Sequence, residues 1–328
     1  MKTKIKIAFI YNPSNQFLTG KHFDNNYYYF FMNALKRNSR INVTYFGEEE
    51  KFDGSNLGKN FDAVFLAGYV GGATPKEIVG MEKINIPVIA WSSDSHFYSE
   101  IDYMKYHKKY NISHYVGPIQ EEYFYKFLPR DFKYERVFTG IEASRFQQIS
   151  SFNTRIKDKI LNSGAMGNKK LKSRIANRII NPKRSGWYFY KLRTLCNELP
   201  YVAYKGIKGT KYTNDYVKYL SSYRAAIAAT TMYPSLKYCE VTAAGCLTFM
   251  EVTKLNKADL LGFEDNKSAI FINEKNYKEK FNEYLHNPDD SKWSKIANEG
   301  RNHVLSKLTN DNGITQLVDH IEKILNSR

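Results

Sequence analysis

The sequence has no apolar run approaching the roughly 18 residues that a membrane-spanning helix needs, although 42% of its 328 residues are hydrophobic. That excludes a helical membrane-embedded protein and leaves enough apolar mass for the cores of about two ordinary domains. The start, MKTKIKIAFIYNPSN, is basic and then apolar over too few residues for a secretory leader, and reads as a first strand. Cysteine is scarce. Cys196, Cys239 and Cys246 are odd in number, scattered and without metal-ligand spacing, which argues against a structural zinc site and favours a reducing, cytoplasmic setting. No glycine fingerprint follows the first strand candidate: residues 12–20 have neither dinucleotide spacing nor a P-loop lysine, against an ordinary dehydrogenase or ATPase. Low-complexity linkers and short internal repeats are also missing. Acids are outnumbered, 33 against 49 Lys and Arg, for a formal charge of +16.

The cationic excess is concentrated. Between residues 155 and 193, twelve Lys and Arg stand against one acid, Asp158, leaving +11 in that segment. Such a field suits phosphates, nucleic acid or an anionic membrane face, with a solvated basic surface as the plain alternative. The 26 tyrosines are abundant too, but many sit at helical spacing and read as core or rim.

Along the first half, strand-like runs at 5–11, 41–46, 61–67, 87–91, 114–116 and 135–138 alternate with helical periodicity at 24–36, 74–83 and 121–127. This alternation predicts an α/β fold with an open, largely parallel sheet, whose ligands gather at the carboxyl ends of the strands. A second series begins near 158 and ends in three amphipathic helices at 276–285, 291–305 and 313–325, so two α/β units are expected, joined near residue 150.

Within the second unit, SLKYCEVTAAGC (residues 235–246) predicts a short helix opened by Ser235 and closed by Gly245, with Lys237, Glu240 and Ala244 on one face. The sequence leaves two roles open for Lys237 and Glu240, a weak surface ion pair or a ligand site on a face of little bulk. An apolar strand follows at 247–250.

The order of small motifs resembles one enzyme class. Residues 139–146 (TGIEASRF) are similar to the segment closing the first domain of GT-B glycosyltransferases, and residues 235–245 to their donor-binding helix, with a basic residue three before a glutamate and an Ala-Gly after it. GF at 262–263, AIFIN at 269–273 and IANEGR at 296–301 then follow in the usual order; the nearest group is the CgeB-like spore-maturation-protein glycosyltransferases. The resemblance is carried by motifs over 135–325 and by topology alone before that. It implies two tandem Rossmann-like domains facing a cleft: an acceptor-side domain at 1–150 and a nucleotide-sugar-binding domain at 151–328, with the last helix free to pack back on the first.

The chemistry of a nucleotide-sugar suits that helix. Its diphosphate calls for a cation and helix-end amides, which Lys237 would supply, and its ribose diol for a carboxylate, which Glu240 would supply, with Ala243, Ala244 and Gly245 allowing close backbone packing. By resemblance, Gly164 lies near the diphosphate, the loop beginning Lys205-Gly206 near the base, and Arg174 adds a phosphate contact, a plain surface arginine being its alternative. Many relatives carry a second acid seven positions before the glutamate; Tyr233 stands there, so the donor sugar and a retaining outcome do not carry over. No metal or cofactor is expected, since no DxD-type acidic pair occupies the matching place and fixed cations can stabilise the departing diphosphate.

On the acceptor side, Asp94 and His96 follow the fourth strand candidate. They are either the general base for an acceptor hydroxyl or a helix cap with a first-turn histidine. Gly71-Gly72 is a ligand approach or a turn. The expected activity is glycosyl transfer from a nucleotide-diphosphate sugar to a hydroxyl on a cell-surface glycan, lipid-linked or anionic polymer, by a cytoplasmic protein able to meet the inner membrane face. Its rivals are a phage-type DNA-base glycosyltransferase, a non-catalytic nucleic-acid-binding protein using 155–193, and a sugar-nucleotide epimerase.

Overall fold

The apolar runs become central strands of two parallel sheets, because a strand covered on both faces has no reason to alternate. The computed structural model describes residues 3–15, 27–68, 73–92, 103–168, 170–180, 186–205 and 215–327. The chain divides into two units, Met1–Thr139 with Asn310–Arg328, and Gly140–Thr309.

Among the described residues of the first unit, a six-stranded sheet runs in the order β2 (Ile41–Gly47), β1 (Ile5–Tyr11), β4 (Ala63–Leu66), β6 (Val88–Trp91), β7 (His114–Gly117), β8 (Tyr134–Arg136), with every pairing parallel. β4 and β6 are buried at every position, whereas the edge strand β2 is mostly accessible. A small ribbon pairs β3 (Lys51–Asp53) with β5 (Glu77–Val79). The helix expected over 74–83 is therefore absent. Strand pairing takes 77–79, and Gly80, at φ 76° with Ser55 and Asp53 where a Cβ would stand, turns the chain sharply after it. The C-terminal helix Asn310–Asn326 belongs to this unit. Its Ile314, Leu317, Val318, Ile321 and Ile324, at helical spacing, enter one apolar cluster with Ile7, Phe9, Phe31 and Leu35.

The second unit holds a five-stranded parallel sheet in the order β10 (Val202–Lys205), β9 (Ile156–Ser163), β11 (Tyr223–Ala228), β12 (Leu247–Glu251), β13 (Ile270–Ile272). It begins at residue 140, earlier than the boundary near 150. Ile141 donates its N–H to Leu308 O at 3.0 Å, Phe146 is buried and accepts from Arg301 at 2.8 Å, and a Cβ at Gly140 would overlap the Leu308 carbonyl. Of the segment 139–146, only Thr139 belongs to the first unit; residues 140–146 open the second. No helix among the described residues is long and apolar enough to cross a membrane.

Candidate functional site

The strand order of the second sheet fixes where a ligand would sit. The chain leaves β9 for β10 on one side and returns to β11 on the other, so the order reverses at β9/β11, and the crevice outside the carboxyl ends of those strands is the expected binding place. β9 ends in Ser163 and runs into Gly164, whose φ is 106°. A side chain there is disfavoured twice. The backbone lies in the left-handed region, and a Cβ would stand 3.1 Å from Arg193 Nη1 and 3.3 Å from Lys237 Cε. Gly164 is thus where two cations from different elements converge.

Arg193 lies on the helix Lys191–Cys196 and is 2% exposed. Its Nη1 donates to Ala165 O at 3.0 Å, while Nε and Nη2 are buried without an acceptor. A buried guanidinium is costly unless paired and hydrogen-bonded, so two idle nitrogens mark a place that favours an anion. The helix is locked onto the turn after β9: Asn162 Nδ2 donates to Arg193 O at 3.1 Å, Gly167 N–H donates to Thr194 Oγ1 at 2.8 Å, and Tyr204 OH donates to Gly164 O at 3.1 Å.

Lys237 and Glu240 lie on the helix Lys237–Ala243 and bond each other, Nζ to Oε2 at 2.7 Å, with side chains 15% and 10% exposed. They are neither a loose surface pair nor two separated grips. Tyr216 OH donates to the same Oε2 at 2.9 Å, and its ring lies 4.5 Å from Lys237 Nζ; among the described residues no donor meets Oε1. Burial pulls the Lys237 ammonium below its usual range, Glu240 opposing it and Arg193 adding to it. Ser235 does not cap the helix. Leu236 holds that position without a side-chain bond, and Ser235 Oγ is buried without a partner.

At the end of β12, Glu251 is 4% exposed with Oε2 unpartnered. Burial, with Glu274 adding, pushes its carboxyl up to about 8, against the pull of Arg193. Tyr238 and Asn256 fix the loops beside it: Tyr238 OH donates to Glu251 O at 2.9 Å, and Asn256 Nδ2 donates to Thr230 O and Glu251 O, both at 2.9 Å.

The other residues expected at a donor site distribute unevenly. Arg174 is engaged elsewhere, its guanidinium stacked 4.0 Å from the centre of the Trp187 ring. Tyr233 belongs to the loop after β11, where its carbonyl accepts from Thr230 Oγ1 at 2.6 Å. Gly245 is corrected: it precedes β12 and so lies at the amino edge of the sheet, at φ 75°, under Arg155, which donates to its carbonyl at 2.6 Å. It closes the helix and faces no ligand of the carboxyl edge. Lys205 ends β10 in register with Ser163; Gly206, Asp94, His96 and Gly71-Gly72 lie outside the described residues. The three cysteines are buried and free. Among the described residues, no three His, Cys, Asp or Glu gather as a metal group. Arg193, Glu251 and Tyr216 were not singled out by sequence. Glu251 alone had a local signal, an acid closing a mostly apolar run.

The sequence matches a family described as glycosyl transferase-like over residues 184–319. No curated protein matches it. Among solved structures, HepE of Anabaena in complex with UDP and glucose is similar over 97% of this chain and 100% of its own, at 10% identity and a TM-score of 0.57. Sucrose-phosphate synthase of Thermosynechococcus elongatus is similar over 99% and 100%, at 10% identity and 0.60. An alpha-glucosyltransferase in complex with UDP is similar over 97% and 99%, at 7% identity and 0.60. These likenesses establish the fold as GT-B, built from two Rossmann-like α/β domains.

Proposed function

We propose that the chain is a glycosyltransferase of the GT-B class, nearest the CgeB-like group in motif order, and that its second unit binds a nucleoside-diphosphate sugar at the carboxyl edge of β9 and β11. The observation that carries this reading is the convergence of the buried, under-bonded Arg193 guanidinium and the Lys237 ammonium on Gly164. The diphosphate lies over Gly164, bridging the two cations. Arrival of the phosphate gives Lys237 a new partner and releases Glu240, whose Oε2 alone is bonded among the described residues, to accept from the ribose hydroxyls. The UDP in the HepE and alpha-glucosyltransferase complexes is the same class of ligand and supports the assignment.

In the transfer, an acceptor hydroxyl forms a new C–O bond at the anomeric carbon as the bond to the diphosphate oxygen breaks. The charge appearing on the departing diphosphate meets Arg193 and Lys237, already oriented and shielded from water, which is where fixed cations lower a barrier most. If configuration inverts, Asp94 or His96 takes the acceptor proton.

Calorimetric titration with a panel of nucleoside diphosphates tests the donor site. Each charge-assisted contact contributes about 1.5–3 kcal/mol, so Lys237→Ala and Glu240→Ala each weaken binding roughly ten- to a hundredfold, while the wild-type chain releases nucleoside diphosphate from its donor faster when acceptor is present. Binding of every nucleotide unchanged by both substitutions refutes the site; donor consumption indifferent to acceptor points to an epimerase.

A further inference from the structure

The helix Leu171–Ile180 is turned the wrong way for a soluble protein. A surface helix normally buries its apolar stripe and wets its polar face. Here Leu171, Ile175 and Ile179, spaced at i, i+4 and i+8 and therefore on one face, are 65%, 50% and 77% exposed. The side chains it turns toward the protein include half-buried Ser173 and Arg174, the latter stacked on Trp187. An outward aliphatic face carries a standing cost in water unless something covers it.

Charge identifies what covers it. Residues 169–184 carry seven Lys and Arg (169, 170, 172, 174, 178, 183 and 184), and no acid occurs between Asp158 and Glu198. On the helix, the exposed Lys172 stands beside the stripe by its spacing. Leucine and isoleucine framed by cations is the pattern of a helix lying in the plane of a bilayer, its apolar face among the acyl chains and its cations at the headgroups. Nucleic acid fits less well: phosphates recruit the cations, but exposed aliphatic side chains gain nothing from them. We infer that the helix Leu171–Ile180 docks the protein on an anionic lipid surface. This docking does not depend on the donor-site assignment, since none of the three aliphatic residues belongs to that site.

Co-sedimentation of the full chain with phosphatidylglycerol-containing vesicles, against pure phosphatidylcholine, tests it. The wild type pellets with the anionic vesicles and is released as salt rises. Leu171→Ser/Ile175→Ser/Ile179→Ser, which keeps every charge, binds them about tenfold or more weakly with an unchanged melting temperature, because the replaced side chains are exposed. Retention of full vesicle affinity by the triple variant overturns the inference, as does a wild type that stays in the supernatant at low salt. Light scattering that shows a wild-type dimer and a monomeric triple variant would assign the face to a second copy instead. Tighter binding to duplex DNA than to vesicles, lost in the same variant, would assign it to nucleic acid.

Discussion

Replacing Glu251 by glutamine probes the charge balance on which the donor site rests. Folded, this carboxyl titrates near 8, chiefly because it is buried; unfolded, it returns to the usual 4.5. Between those values the folded chain holds a proton that the unfolded chain has released. The stability contributed by the neutral form is therefore complete below pH 4.5 and lost as pH rises through 8. At about 1.4 kcal/mol per pH unit the full effect is on the order of 5 kcal/mol. Glu251→Gln keeps the shape and removes the titration. Urea unfolding of both chains at about pH 5, 6, 7 and 8, spread across this window, reads the difference. The two start close together at the acid end and separate progressively, the variant being more stable by several kcal/mol at the alkaline end. A second readout follows from Arg193. Once ionised, Glu251 offsets the guanidinium's charge, so nucleoside-diphosphate affinity of the wild type falls as pH passes through about 8, and that of the variant does not. Parallel stability profiles would refute the assignment of a neutral buried carboxyl, and with it the account of Arg193 as a cation available to an anion.

Gly164→Ala places a methyl group against Arg193 Nη1 and Lys237 Cε at a left-handed backbone position. It costs about 1–2 kcal/mol of stability and lowers nucleoside-diphosphate affinity; thermal melting and calorimetry on one preparation separate the two effects. Tyr216→Phe removes the 2.9 Å bond to the Glu240 carboxylate and costs about 1.5–3 kcal/mol, with KM for the donor moving more than kcat in steady-state assays. Leu317→Ala opens the fully buried core of the first unit and costs about 2–5 kcal/mol in denaturant unfolding, with nucleotide affinity at the second unit unchanged below the transition.

Much of the fold was legible because its signals are local. The runs at 63–66 and 88–91 are apolar throughout, and that at 247–250 is broken only by Thr248, since each strand is covered on both faces, and the last helix shows its buried stripe at 314, 317, 318, 321 and 324 plainly in the sequence. The region 74–83 was not legible. β5 exists only because β3, about 25 residues earlier in the chain, pairs with it, and helical periodicity carries no trace of that partner. The donor site divides in the same way. Lys237 and Glu240 were visible as a pair at i, i+3, whereas Arg193 looked like any other of twelve cations in a basic segment. Only the strand order that sets the helix Lys191–Cys196 against the turn after β9 distinguishes it. Glu251 could have been read as an acid closing a buried strand, and Gly245 was misplaced because a glycine after a helix looks alike at either edge of a sheet.

The return of the C-terminal helix to the first unit makes that unit discontinuous in the chain, while residues 140–309 form an uninterrupted insert. On the ribosome, the sheet of the first unit is made before residues 140–309 yet lacks five aliphatic side chains of its own core until the helix Asn310–Asn326 emerges. The insert is complete earlier and can reach its native state ahead of the sheet that precedes it, reversing the usual N-to-C order of domain maturation. Truncation just after residue 309 therefore damages the beginning of the protein, and the segment 140–309 is the piece suited to expression by itself.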